Sequence, residues 1–268
     1  MRIDKIEKKI RQKEYLLDRE QRYLRKRSEL NEVLEEVFDK LTLMTIYDLM
    51  KSGEIKEFYG VLSAGKESRV YLALGKEGKI AVKIYLVLSA EFKRNRIFYV
   101  SSDPRFKKIP KDFREFIYLW ARREFNNLEK AYQAMIKVPK PLFVKNNVLG
   151  MSFMGIDDTP YPKLVELSLS KDEYNEIYKQ VLENIFKLYN NAGLIHGDLS
   201  EYNIFIDEKL NPIFMDFSQA VLSTHPHAND LLHRDIKNIT KFFNKKGVTI
   251  IKEEEVFNWI LGKKDGEF

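Results

Sequence analysis

The chain has 268 residues, of which 44% are hydrophobic and 32% are charged, which predicts a globular protein with a sizeable core. The absence of cysteine excludes a disulfide framework, a thiol nucleophile and a cysteine metal site, and it favours a reducing, cytoplasmic location. No apolar run approaches the ~20 residues that a membrane span needs, and the N-terminus lacks the apolar core of a signal peptide, so we expect no membrane partner.

The formal net charge of +6 is concentrated at the N-terminus. Residues 1–30 hold 11 Lys or Arg and 6 Asp or Glu, a net of +5, which leaves +1 for the rest of the chain. A basic arm on a nearly neutral body is typical of a protein that binds nucleic acid or another acidic partner. A solvated helix of mixed charge is the alternative, and charge alone does not decide between the two.

Two helices are predicted before the first strand, over residues 1–29 and 30–51. In the first, five apolar residues fall near one face: Ile3, Ile6, Ile10, Leu17 and Leu24. The second has a stronger helical spacing, with Asn31 as its N-cap and apolar residues at Leu30, Val33, Leu34, Val37, Leu41 and Met44. Residues 1–51 are therefore expected to form a helical extension that packs on a body or on a partner.

A phosphate-binding pattern, G-x-x-x-x-G-K, runs from Gly60 to Lys66. It is not a P-loop, because Glu67 stands where the magnesium-binding Ser or Thr belongs and a strand-like run over 70–74 replaces the helix. We predict instead a strand, a polar turn whose N–H groups lie over phosphates, and a second strand, with an ordinary hairpin turn as the alternative. The candidate phosphate-binding side chains of this turn are Ser63, Lys66 and Ser68.

Lys83 ends the run Ile80-Ala81-Val82-Lys83, which matches the V-A-I-K strand of protein kinases with its two β-branched residues exchanged. A Lys on a buried strand is costly unless it is paired, and phosphate oxygens together with a helix Glu would pair it. The helix predicted over 114–136 offers Glu124 as the favoured partner and Glu129 as the alternative. If Lys83 instead faced solvent from an edge strand, it would need no partner.

Residues 92–113 separate this strand from this helix. They hold seven Lys or Arg, two Asp, two Pro and a pair of serines. Such a composition predicts a mobile basic loop.

Residues 138–153 are predicted to form two strands around the turn Lys145-Asn146-Asn147. By position, this is where a kinase joins its two lobes. Backbone groups of Ser152 and Met154 would then bind an adenine edge, and Met151 would border the pocket. A core strand with a methionine filler is the commoner meaning of such a segment.

Two motifs carry the chemistry. His196-Gly197-Asp198, followed by four residues and Asn203, fits the kinase catalytic loop, and Asp216-Phe217-Ser218 fits the D-F-G motif with Ser in place of Gly. In such a site one Asp faces the attacking hydroxyl, while an Asn and a second Asp hold magnesium on the phosphates. A hairpin turning at Asn211-Pro212 would place Asp216 at a strand end beside the loop. Ordinary loop carboxylates are the alternative.

Helices are predicted on both sides of these motifs. The first covers 171–191 and begins with a capping box formed by Ser170 and Glu173. The second covers 229–244, where Asp235 either braces the catalytic loop or is a surface acid.

Together these motifs resemble the RIO family of atypical protein kinases. Three stretches carry the resemblance: 63–71, 196–203 and 216–221. Supporting matches are Trp120-Ala121, Glu124, residues 151–155, Asp157-Asp158, Pro160 and residues 225–228. Ser218-Gln219 and residues 225–228 are similar to the subfamily that lacks an N-terminal winged helix.

The resemblance implies an α+β, two-lobed protein-kinase-like fold. A β-rich N-lobe over 52–153 would contain the flexible loop over 92–113, a helical C-lobe would cover 154–268, and N-terminal helices would cover 1–51. The implied cofactors are ATP and Mg²⁺, with Mn²⁺ as an alternative metal. The implied catalytic residues are Asp198 as base, Lys83 and Asp216, and the implied metal ligands are Asn203 and Asp216. The implied nucleotide-binding residues are Ser63, Lys66, Ser68, Val70, Lys83, Glu124, Met151, Ser152 and Met154.

The resemblance further implies a cytoplasmic role in maturation of the small ribosomal subunit, with pre-subunit particles and rRNA as partners and ATP turnover driving release. Autophosphorylation is expected at Ser101 or Ser102, and an aspartyl-phosphate intermediate would form on Asp216. Ser102 stands where the family's loop usually has Gly, which bears on the conformation of the loop and its phosphorylation site.

Two other functions remain open at this stage. The first is a nucleotide-regulated ribosome-assembly binding factor with vestigial catalysis, although the complete set Lys83, Asp198, Asn203 and Asp216 argues against it. The second is a small-molecule kinase, because only 52 residues follow Asp216 and no A-P-E sequence is present, which gives recognition of a peptide substrate the least support.

Overall fold

The structure is a computed structural model that describes residue 34 and residues 37–87 and 90–262. The helix predicted over 1–29 and the Asn31 cap lie outside the described residues. The described chain forms two compact units: a sheet unit, residues 37–126 and 140–160, and a helical unit, residues 127–139 and 161–262. The predicted lobe boundary between residues 153 and 154 stays a prediction. Within the described residues, no helix combines the length and the apolarity needed to cross a membrane.

The sheet unit is built on a five-stranded antiparallel sheet with the strand order β1-β2-β3-β5-β4. Its strands are β1 (Ile55–Ala64), β2 (Ser68–Gly75), β3 (Gly78–Tyr85), β4 (Pro141–Lys145) and β5 (Val148–Ser152). Two short strands follow, β6 (Gly155–Ile156) and β7 (Thr159–Pro160). The predicted strand, turn and strand around Gly65 are confirmed, and since a strand follows that turn, the rejection of the P-loop is confirmed as well.

Three helices accompany this sheet in the sequence: α1 (Lys40–Lys51), α2 (Ala90–Ser101) and α3 (Phe113–Gln133). The prediction of one continuous helix over 30–51 was wrong, because Asp39 is an N-cap that starts a new helix at Lys40. Its carboxylate accepts hydrogen bonds from the N–H groups of Leu41 and Thr42. The new start changes the buried face, so Leu41 and Met44, expected in the core, are 49% and 56% exposed. The buried residues are Thr42, Thr45, Ile46 and Leu49.

The segment over 92–113, predicted to be a mobile basic loop, is helical in its first part, which belongs to α2. Phe92 and Val100 on this helix are buried in one cluster with Phe116 and Trp120 of α3. Because charged residues lie between these apolar positions, the sequence had no clear periodicity there. Pro104, which suggested a loop, comes only after the helix has ended. The helix predicted over 114–136 is confirmed as α3, although it ends three residues earlier.

The helical unit contains α4 (Lys171–Asn190), α5 (Ala228–Lys245) and α6 (Glu253–Ile260), together with a 3₁₀ turn, Leu164–Glu166. The predicted capping box of Ser170 and Glu173 is confirmed at the start of α4. Tyr178 of α4 packs against Phe243 of α5, with ring centroids 5.1 Å apart. Four short strands pair as β8 (Leu194–Ile195) with β11 (Val221–Leu222), and β9 (Ile204–Ile206) with β10 (Pro212–Phe214). The predicted hairpin before Asp216 is confirmed, although it turns over 207–211 and Pro212 is already paired with Ile206.

Candidate active site

In the sheet unit, Lys83 and Glu124 form a buried ion pair. Lys83 lies on β3, and its Nζ is 2.8 Å from Oε1 of Glu124 on α3. The side chains are only 8% and 2% exposed. The hydroxyl of Tyr85 hydrogen-bonds the second oxygen of Glu124, so both carboxylate oxygens have partners. Glu124 rather than Glu129 is therefore the partner of Lys83, as the sequence favoured.

The polar turn between β1 and β2 is held by one hydrogen bond within its own backbone and one from the residue that follows β3. The N–H of Gly65 donates to the carbonyl of Ser68 at 3.0 Å, and the N–H of Leu86 donates to the carbonyl of Glu67 at 2.9 Å. The Glu67 carboxylate is paired with Arg96 of α2, which ties the turn to that helix. The predicted side chains Ser63 and Lys66 are exposed, Ser68 is half-buried, and Val70 lies opposite Lys83 in the β2–β3 register.

The segment predicted to meet an adenine follows directly from β5. Met151 is 7% exposed and lies opposite Ala81 of β3. The Ser152 N–H donates to the carbonyl of Lys140 at 2.8 Å, so it is not available to an adenine edge. The Met154 N–H meets no acceptor within the described part of the chain.

In the helical unit, the loop between β8 and β9 carries Asp198 and Asn203. The Asn203 side-chain amide donates to the carbonyl of Asp198 at 2.8 Å, which turns its oxygen away from that carbonyl. The carbonyl of Asn203 accepts from the Met215 N–H at 2.9 Å, and Asp216 follows immediately at the end of β10. This hydrogen bond joins the loop to the end of β10, which agrees with the position beside the loop that the sequence predicted for Asp216.

The electrostatics around Asp198 favour a group that can take up a proton. Burial raises the pKa of its carboxyl, and the charge of Asp216 raises it further, whereas Arg234 and Asn203 act in the opposite direction. Asp216 itself is exposed and adopts φ 60°, a left-handed conformation that Asp tolerates better than most residues. The carboxylate of Asp216 and the amide oxygen of Asn203 are hard ligands of the kind that Mg²⁺ prefers, so these two residues suit that ion.

Asp235 of α5 stabilises the loop that carries Asp198 through hydrogen bonds to its backbone. Its two carboxylate oxygens accept from the N–H groups of Gly197 and Leu199 at 2.8 and 2.9 Å, on either side of Asp198. Arg234 binds the carbonyl of Gly197. Burial raises the pKa of Asp235 to about 7, although the two N–H donors and Arg234 act to lower it. Of the two sequence alternatives, the bracing role is the one observed.

Replacing Asp235 by Ala should lower the free energy of unfolding by about 3 kcal/mol, because two buried N–H groups lose their acceptor. Phosphoryl transfer should fall as well, since the loop that carries Asp198 loses its support. Urea unfolding measures the first effect, and Lys237→Ala, at an exposed position of the same helix, is the control. Equal stability of the two variants would contradict the bracing role.

His196 is a buried, neutral member of the same loop. It is 1% exposed, and its Nε2 lies 2.9 Å from the carbonyl of Met215, an acceptor, so this nitrogen carries the proton. Burial lowers the pKa of His196 to about 4.

Because the folded pKa of His196 lies below its unfolded value, the unfolded chain binds more protons in acid. The stability that His196 contributes should therefore be complete above about pH 6.5 and fall as the pH drops towards 4, with a loss of about 2 kcal/mol at pH 5, whereas Asp235, whose pKa is raised to about 7, acts in the opposite direction over the same range. Urea unfolding of the wild type and of His196→Asn at pH 7.5 and pH 5 checks this. The same pH dependence in both proteins would show that His196 is not its source.

Sequence reasoning missed two residues that arrange this site, Asn127 and Gln219. Asn127 is fully buried, and its amide donates to the carbonyls of Phe217 and Ala220 at 3.2 and 2.8 Å. The Gln219 amide donates to Oδ2 of Asp198 at 3.0 Å. A signal for Asn127 was available in the sequence. It is a polar residue on the apolar side of a predicted helix, three positions after Glu124, and a buried polar residue needs a hydrogen-bond partner.

Comparison with known proteins shows the family of the chain. The model of the RIO domain family matches residues 69–256. The RIO-type serine/threonine-protein kinase Rio1 of Methanocaldococcus jannaschii is 38% identical over 251 residues, covering 93% of this chain and 82% of that protein. Its namesake from Haloferax volcanii is 41% identical over 217 residues, covering 80% and 73%.

Among solved structures, the Rio2 kinase–ADP/Mg²⁺–phosphoaspartate complex of Chaetomium thermophilum matches with a TM-score of 0.60 and 22% identity, over 80% of this chain and 65% of that one. At this level of identity the likeness concerns the fold, and it confirms the predicted α+β, protein-kinase-like fold. The match to the family model and the two relatives are similarities of sequence, so they show the family as well as the fold. The chain belongs to the RIO family of atypical serine/threonine-protein kinases.

Proposed function

We propose that this protein is an ATP- and Mg²⁺-dependent RIO-type kinase with ATPase activity that acts in maturation of the small ribosomal subunit. The observation that carries the catalytic part is the support of Asp198: the N–H groups on both sides of it are bound by buried Asp235, and its carboxylate is bound by Gln219. A loop that served only as a turn would not need a braced carboxylate.

The proposed roles follow from the chemistry of each group. Asp198 accepts the proton of the attacking hydroxyl or water, and Lys83, held by Glu124, binds phosphate oxygens. Asn203 and Asp216 hold Mg²⁺, which when bound would neutralise charge on the transferred phosphoryl group.

In the sheet unit, a turn and the end of β5 are proposed to bind the nucleotide. The turn that contains Ser63, Lys66 and Ser68 lies over the phosphates. The adenine contacts the side chains of Val70 and Met151, and it forms hydrogen bonds with the carbonyl of Ser152 and the N–H of Met154. Mn²⁺ has no support from the relatives, so Mg²⁺ alone is proposed.

The ribosomal part of the proposal rests on the family and on charge. Residues 1–30 have a net charge of +5, which suits a partner rich in RNA phosphate. Pre-small-subunit particles and rRNA in the cytoplasm are the proposed partners, and Ser101 or Ser102, both exposed at the end of α2, is the proposed autophosphorylation site. An aspartyl-phosphate on Asp216 is proposed as the intermediate, since its carboxylate is accessible.

Single-turnover reactions with radiolabelled ATP, with and without small-subunit particles, test this function. We expect label on the protein or release of phosphate, stimulated by particles and lost in Asp216→Ala. Asp230→Ala, which removes an aspartate that is 81% exposed, is the matched control and should behave as wild type. Tight ATP binding without label transfer or phosphate release would favour the alternative, a nucleotide-regulated assembly factor.

A further inference from the structure

The turn that follows Asp216 is fixed in place by a buried side chain. The N–H of Ala220 donates to the carbonyl of Phe217 at 3.2 Å, which closes the turn. The buried amide of Asn127 donates to both Phe217 and Ala220 carbonyls. Residues 217–220 are therefore held as a rigid unit that presents the Gln219 side chain in one direction.

This turn lies directly against the catalytic loop. Gly197, with φ 75°, has so little space that a Cβ there would come within 2.7 Å of the carbonyl oxygen of Gln219. From this close backbone contact, the Gln219 side chain reaches Asp198, and its Nε2 donates to Oδ2 at 3.0 Å. One neutral donor thus binds one oxygen of the carboxylate proposed as the base.

We propose that Gln219 is a positioning residue that sets the rotation of the Asp198 carboxylate so that its other oxygen faces the phosphoryl acceptor. This inference rests on the proposed function. When an acceptor hydroxyl takes the phosphoryl group directly from ATP, its O–H gives its proton to Asp198, its oxygen forms a bond to the γ-phosphorus, and the β–γ bridging oxygen leaves with ADP. In the route through the aspartyl-phosphate on Asp216, the attacking water gives its proton to Asp198, its oxygen forms a bond to that phosphorus, and the Asp216 carboxylate leaves.

The chemical type of residue 219 fits this role. A Lys there would pair with Asp198 and weaken it as a base, whereas a Glu would repel it. The amide of Gln donates a hydrogen bond without adding charge, so it can orient the carboxylate and leave it able to accept a proton. A small misorientation of the Asp198 carboxylate would lower the reaction rate strongly, because proton transfer requires contact within hydrogen-bond distance.

Gln219→Met removes the donor and keeps the length of the side chain. We expect the single-turnover rate to fall about 30-fold, with the affinity for ATP unchanged within about twofold, in the range found for groups that orient a reacting residue. Gln219→Glu should be slower still. Gln133→Met makes the same change at an exposed position at the end of α3 and should match wild type. A wild-type rate in Gln219→Met, or parallel losses of rate and ATP affinity, would overturn the inference.

A double-mutant cycle separates action through Asp198 from any other effect. In an Asp198→Asn background, Gln219→Met should cause no further loss of rate, and a further loss as large as in the wild type would overturn the inference. The contact is also measured without turnover, from the NMR signal of the Gln219 side-chain amide, which should shift in Asp198→Ala. An unchanged signal overturns the inference, whereas a shifted signal in a protein without phosphoryl transfer contradicts the proposed function alone.

Discussion

Replacing Asp198 by Asn should lower the single-turnover rate of phosphoryl transfer about 1,000-fold, the range expected when a general base is lost. Asn has nearly the same shape, so the loop held by Asp235 keeps its support, and the Asn oxygen can still accept from Gln219. It cannot take up a proton from the acceptor. ATP affinity should change by less than about twofold, since the proposed base does not bind the nucleotide.

The measurement combines single-turnover phosphoryl transfer with equilibrium binding of ATP. Glu183→Gln on α4 is the control, because it removes one negative charge at an exposed position. If Asp198→Asn weakened ATP binding as strongly as it slowed transfer, Asp198 would be a nucleotide or metal ligand and not the base. If the rate were unchanged, another group would have to accept the proton.

The parts of this site that the sequence predicted correctly are those fixed by short-range geometry. The hairpin before Asp216 and the capping box of Ser170 and Glu173 each involve neighbouring residues, so their pattern is visible in the chain. The Lys83–Glu124 pair joins residues 41 positions apart. It was predictable because a buried Lys demands a carboxylate and few were available on the following helix.

The failures have physical causes as well. A helical spacing over 30–51 did not reveal that Asp39 competes as an N-cap and restarts the helix, which changes the face that is buried. The basic residues of 92–113 concealed α2, whose stability comes from packing Phe92 and Val100 against α3 and not from its own periodicity. Asn127 and Gln219 bind partners brought close only by the fold, so the local patterns that include them did not reveal those contacts.

Replacing Lys83 by Met should destabilise the protein by about 3 kcal/mol and weaken ATP binding at least tenfold. The carboxylate of Glu124 would stay buried without its cation, and breaking a buried pair by removing one partner is strongly destabilising. ATP would lose the ammonium group that is proposed to bind its phosphates. Urea unfolding and ATP titration measure the two effects. Lys79→Met is the control, because Lys79 lies on the same strand as Lys83 and its ion pair with Asp158 is exposed and worth little.

Since both effects arise from one substitution, a double variant is needed to separate them. Lys83→Met combined with Glu124→Gln removes both charges, and a neutral pair in a buried site is often as stable as an ion pair. Most of the lost stability should therefore return, whereas ATP binding and phosphoryl transfer should stay weak, because no cation faces the phosphates. Recovery of ATP binding together with stability would show that Lys83 supports the fold alone. Failure of the stability to recover would show that the loss in Lys83→Met does not come from leaving the Glu124 carboxylate buried without its cation.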